Sequence, residues 1–326
     1  MSTPSITSIT PPCTIPGGRV SIHGSGFAVA SGIPDVRIGS EAARVVFASL
    51  TELAVIVAAQ GGTHTVVLSG SDTGAQVVVG VPVATGLHQV DSPVFDSAGN
   101  VYLTYSGTRG QQVPVSIFRV TPGGARESFS SSITNPTSMA FSPNGELYVS
   151  SRFEGAVYRL TEDGRAEVYA SDLGIACGLA CAPDGTLFVG DRSGTVFEVS
   201  TSGQARTVAT LPASVAAFHL ALGSDGLYVT APTLSARDAI YRVTFSGDVS
   251  VVHTGFGRPQ GIAFSPDGIL YVVEALAGVS GLYRVRDGHD PELVVAGPKL
   301  VGLAFNGKSD MIVCTSDTAY RVPLPN

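Results

Sequence analysis

Four residues suited to acid–base chemistry fall at corresponding places in repeated segments: Asp91, Asp191, His219 and Glu274. In the aligned repeats, Asp91, Thr137, Cys177, Phe218, Gln260 and Val301 occupy one position, and Ser92, Ser138, Gly178, His219, Gly261 and Gly302 the next. Tyr105, Ser151, Asp191, Ala231, Glu274 and Thr315 share a third. Brought around one axis, these columns make a polar pocket. His219 would be its general base, with Asp91, Glu274 and Gln260 orienting water. Tyr105, Thr137, Cys177, Asp191 and Gln260 would contact a substrate. Mixed carboxylate and imidazole in a deep pocket is the default expectation for an active site.

Other motifs carry less. A Cys177–His219 pair would need the imidazole to lower the thiol pKa, and a small buried hydrophobe is the commoner role of such a cysteine. Cys13, Cys177, Cys181 and Cys314 are too scattered for a disulfide framework and read as free thiols. The run GLAFNGKS (Gly302 to Ser309) fits the phosphate-loop pattern, but a working loop needs a helix after it, and MIVCTS follows. Register with the other repeats puts Asn306-Gly307 at a hairpin turn.

The elements that would position the columns are repeats of about forty residues. They include SMAFSPNGELYVSSRFEGAVYRL from Ser138, GLACAPDGTLFVGDRSGTVFEV from Gly178, HLALGSDGLYVT from His219 and GIAFSPDGILYVVE from Gly261. Weaker copies start at Pro93 and Gly302, making six. Each has four short apolar runs separated by turn signals, which predicts a four-stranded antiparallel blade. Gly145, Gly185, Gly226 and Gly268 supply the positive φ of the first hairpin. The sixth copy ends after three strands, and VPVATGLH from Val81 is predicted to supply its fourth, closing the ring. The loops Tyr105 to Val115 and Pro232 to Ala239 would wall the mouth.

Composition agrees with an all-β chain. Hydrophobic residues reach 44% against 14% charged, with 39 Gly and 20 Pro among 326 residues. No apolar run is long enough to span a membrane, which predicts a soluble protein with no membrane partner. The net charge is −7 and the lysines are Lys299 and Lys308 alone, so no nucleic-acid partner is expected. Met1 to Pro12 has no secretory pattern, so the sequence as it stands reads as cytoplasmic, or as secreted or periplasmic if a leader has been trimmed from it.

The repeats resemble those of NHL and gluconolactonase (regucalcin)-like six-bladed β-propellers over roughly residues 81–326. Residues 1–80 contain PSITSITPP, GGRVSIHGSGF, VRIG and GGTHTVVLSGSDTG, and resemble the IPT/TIG family, an immunoglobulin-like β-sandwich serving as spacer or docking module for a protein partner. The propeller resemblance implies a divalent cation, calcium above all, in the central channel, held here by Asp91, Gln260 and Glu274. It also implies hydrolysis of lactones or small esters. Thr137 and Cys177 replace better oxygen ligands, and Phe218 and Val301 cannot ligate. The alternative is therefore a non-catalytic propeller that binds a small molecule or a protein.

Overall fold

A computed structural model describes residues 3–27, 29, 32–307 and 310–324, and among these there is no α-helix. From Val94 on, the strands form antiparallel sets in chain order, five of four strands and a last one of three. The first unit comprises Val94–Phe95, Val101–Thr104, Ile117–Val120 and Arg126–Ser130. The next five open with Pro136–Phe141, Ala176–Cys181, His219–Gly223, Pro259–Phe264 and Leu300–Asn306. These opening strands adjoin one another in chain order, and that of the sixth unit adjoins that of the first. The arrangement fits a β-propeller.

Burial explains the composition of each strand. LYVSS, LFVGD and LYVVE, the second strands of units two, three and five, are buried at every residue, because neighbouring sheets cover both faces. Outer strands such as Ala205–Thr210 are largely exposed. Gly145, Gly185 and Gly268 turn the first hairpins at φ of 83°, 89° and 80°. The third strand of unit six, Ala319–Pro323, pairs antiparallel with Val81–Ala84, matching Val81 with Arg321 and Ala84 with Ala319.

Small residues at the aligned second position let the opening strands touch backbone to backbone. A Cβ on Gly302 would lie 2.5 Å from Ser92 Cα, and one on Gly261 would lie 2.6 Å from Gly302 Cα. Hydroxyls then satisfy the backbone between units. Ser92 Oγ accepts the Leu303 N–H at 3.2 Å and Ser138 Oγ accepts that of Leu179 at 3.1 Å. Ser150 Oγ donates to the Cys177 carbonyl, and Thr230 Oγ1 to that of Gln260, both at 2.5 Å.

The N-terminal part has two sheets around a core that includes Val20, Ile22, Leu53, Val55, Val66 and Val77. One holds Ser5–Thr10, Arg19–Ser25, Glu52–Ile56 and Arg44–Ala48. The other extends sideways onto the propeller part. Cys13–Thr14 runs parallel to Gly74–Val79 on one side and to Glu292–Ala296, the outer strand of unit five, on the other. Thr14 Oγ1 also donates to the Ala296 carbonyl at 2.9 Å. The result is one nine-stranded sheet shared by both parts, which covers the outer edge of unit five.

The phosphate-loop look-alike lies between paired strands, Leu300–Asn306 and Asp310–Thr315, with Gly307 at φ 64° and no helix following. Its Lys308 and Ser309 lie outside the described residues. All four cysteines are free thiols, with Cys181 half-buried and the others buried.

Candidate functional site

His219 opens the first strand of unit four, and Asp91 lies just before that of unit one. Their side chains meet: His219 Nδ1–H donates to Asp91 Oδ1 at 2.6 Å. Asp91 Oδ1 also accepts the Ser92 N–H at 2.6 Å, and the two residues are 5% and 1% exposed. His219 Nε2 is buried without a partner among the described residues.

Residues at or next to the pair line two cavities. One, of about 300 Å³, is lined by Thr137, Cys177, Gln260 and Val301 at the starts of the opening strands, and is the mouth expected from the aligned columns. The other, of about 430 Å³, lies toward the strand ends and is lined by residues such as Cys181, Leu222, Phe264 and Phe305. Asp91 borders the second cavity and not the mouth; His219 borders neither.

Charge at the mouth comes from elsewhere. Arg152 and Arg192 line it with His88 and Gln89, and neither arginine has an ion-pair partner among the described residues. Burial first, and the Arg192 charge as well, lower the Arg152 pKa, although a guanidinium stays protonated near neutrality. Burial and then the Arg152 charge also lower the His88 pKa from its ordinary 6.5, so this imidazole is neutral at pH 7. His88 stands edge-on to Tyr105 with ring centroids 6.1 Å apart. Gln89 is fixed, its Oε1 accepting from the Thr104 N–H at 2.8 Å and hydroxyl at 2.5 Å.

Several expected roles need correction. Glu274 does not join Asp91 and His219. Its carboxylate accepts the backbone N–H groups of Gly257, Arg258 and Leu276 at 2.5, 2.8 and 2.7 Å, and it borders a separate cavity beside Arg237 and Tyr283. Asp191 does the same in unit three, accepting from the N–H groups of Ile175 at 2.8 Å and Ser193 at 3.2 Å, and from the Ser193 hydroxyl. A carboxylate at the end of a second strand thus holds the adjoining loops. Burial, and secondarily the Asp91 charge, push the Cys177 thiol up to about 12, so it offers no thiolate.

Thr137 and Gln260 do line the mouth, while Tyr105 stands beside it against His88. The implied cation does not fit this donor set. Asp91 and Glu274 are committed to different partners, and no group of three or more His, Cys, Asp or Glu able to hold a metal occurs among the described residues.

Arg152 and Arg192 were legible in part: each directly follows the third aligned column, in YVSSR and FVGDR. A larger cavity, of about 1000 Å³, lies between units one and two, but its arginines are already paired, Arg119 with Glu127 and Arg159 with Glu146 and Glu167.

Residues 4–83 match the IPT/TIG domain family. No curated protein matches the chain in sequence. In structure it is similar to a candidate gluconolactonase, at 16% identity and TM-score 0.60, over 75% of this chain and 93% of that one. It is similar to the virginiamycin B lyase of Staphylococcus aureus at 17% identity and TM-score 0.53, over 75% and 87%. An auxiliary nutrient binding protein of Bacteroides thetaiotaomicron aligns over 99% of this chain and 98% of its own, at 13% identity and TM-score 0.55. Identities this low show fold and not activity. The chain is thus an IPT/TIG domain at residues 4–83 joined to a β-propeller of the gluconolactonase-like and virginiamycin B lyase fold type.

Proposed function

We propose that the chain is a six-bladed propeller, closed by Val81–Ala84, whose mouth binds a small anion such as a carboxylate or a phosphate ester. One observation carries the reading: Arg152 and Arg192 face the same cavity with no acidic partner among the described residues. Two unpaired guanidiniums repel each other, and a ligand oxyanion relieves that repulsion through charge-assisted, geometrically specific hydrogen bonds. The volume, about 300 Å³, lies at the small end of ligand pockets. Thr137 and Gln260 supply neutral polar contacts that select among anions. The IPT/TIG domain, tied in through the shared sheet, is a fixed spacer or docking surface.

A second reading, hydrolysis of a lactone or small ester, rests on His88. It is a neutral imidazole whose pKa responds to Arg152, so it can take a proton while the guanidiniums face a developing oxyanion. His219, Asp91 and Glu274 do not line the mouth.

Thermal unfolding with succinate, inorganic phosphate and glycerol 1-phosphate, against succinamide and glycerol, tests the first reading. The anions raise the midpoint and the neutral analogues do not; a ligand at a hundred times its Kd adds about 2.7 kcal/mol. Equal shifts from both classes, or none from any anion at millimolar concentration, defeat it. Turnover of a lactone and ester panel that vanishes in His88→Gln selects the second reading.

A further inference from the structure

The cavity that Asp91 lines differs in kind from the mouth. It encloses about 430 Å³, and its walls include Phe95, Leu179, Leu222, Ile262, Phe264 and Phe305. Such walls favour a ligand with a hydrocarbon body. Among the described residues no Lys, Arg or His lines it. Its serines are occupied: Ser92 Oγ accepts from the Leu303 N–H and Ser138 Oγ from that of Leu179.

One charged group borders this space. Asp91 has both hydrogen bonds on Oδ1, from His219 and from Ser92, and none reaches Oδ2 among the described residues. The partnerless side-chain atoms sealed in protein are Ser106 Oγ, His219 Nε2, Asp238 Oδ2 and Arg242 Nε. Asp91 itself lines the cavity, and Oδ2 is the carboxylate oxygen left without a hydrogen bond among the described residues. A carboxylate oxygen among apolar walls is costly until a donor reaches it.

We infer that this cavity binds a small apolar amine, its ammonium donating to Asp91 Oδ2 and its hydrocarbon body packing on the aromatic and aliphatic walls. An ammonium is favoured over a neutral donor because the bond is charge-assisted and no basic side chain among the described lining residues opposes it. The inference is independent of anion binding at the mouth.

Calorimetric titration of the full chain with n-octylammonium chloride and with octan-1-ol provides the test. The amine binds at least about tenfold tighter than the alcohol, and Asp91→Asn removes that advantage. Because Asp91→Asn also touches the His219 contact, a second variant fills the space elsewhere: Ala263→Leu, from the cavity wall. It weakens both probes by about tenfold. Arg152→Gln/Arg192→Gln leaves amine affinity within about twofold, which separates this site from the mouth. Equal affinity for amine and alcohol overturns the inference. So does an amine preference that survives Asp91→Asn, unaltered binding to Ala263→Leu, or loss of amine binding in the double arginine variant.

Discussion

His219 and Asp91 bond at 2.6 Å while almost fully buried, and neither residue lines the mouth. Catalysis at the mouth by this pair would require both to turn. Their position makes them a brace between units one and four. Truncating either leaves the other short of its partner, and His219→Ala or Asp91→Ala lowers stability by about 1–3 kcal/mol. Urea unfolding reads this as a lower midpoint with an unchanged slope. Mouth binding of succinate or glycerol 1-phosphate stays within about twofold in His219→Ala. Unchanged stability contradicts the brace.

Glu274 tests the same logic at a different place. Three backbone donors converge on its carboxylate, which only an acceptor can satisfy. Glu274→Gln turns an amide N–H₂ toward at least one of them and costs about 1–3 kcal/mol. Anion affinity is unaffected. Loss of affinity without loss of stability would return Glu274 to the binding machinery.

His88 gives the mouth a pH dependence with a definite sign. Its folded-state pKa lies below the ordinary 6.5, so in the folded protein it protonates only as pH falls beneath that value. Two effects follow. The unfolded chain takes up the proton first, so the stability this neutral His88 preserves above 6.5 is lost as pH falls through the folded pKa. A bound anion stabilises the imidazolium, so anion affinity rises over the same fall, with proton uptake on binding. His88→Gln flattens both profiles, as titrations in buffers of different ionisation enthalpy would record. An affinity that falls on acidification while the ligand stays ionised argues against this arrangement.

The repeats made the fold readable because each four-stranded unit buries both faces only against its neighbours. Their spacing therefore carries the arrangement, down to Val81–Ala84 pairing with Ala319–Pro323. What escaped was the parallel contact of Cys13–Thr14 with Glu292–Ala296: a two-residue strand has no periodicity to announce it. The site was legible by column and not by orientation. Alignment brought Thr137, Cys177, Gln260 and the Asp91–His219 pair to the axis. It could not tell that Glu274 turns toward loop backbone, which depends on where Gly257 and Arg258 place their N–H groups. Arg152 and Arg192 were passed over because they stand one residue beyond the columns.

Anion binding through Arg152 and Arg192 is tested most directly by calorimetric titration of succinate and glycerol 1-phosphate into the wild-type chain and into Arg152→Gln, Arg192→Gln and the double variant. One saturable site is predicted in the wild type, weakened at least about tenfold by each single change and abolished by both. Added salt also weakens it, because Arg192 is exposed. Absence of binding to the wild-type chain, or affinity unchanged in the double variant, would contradict the account.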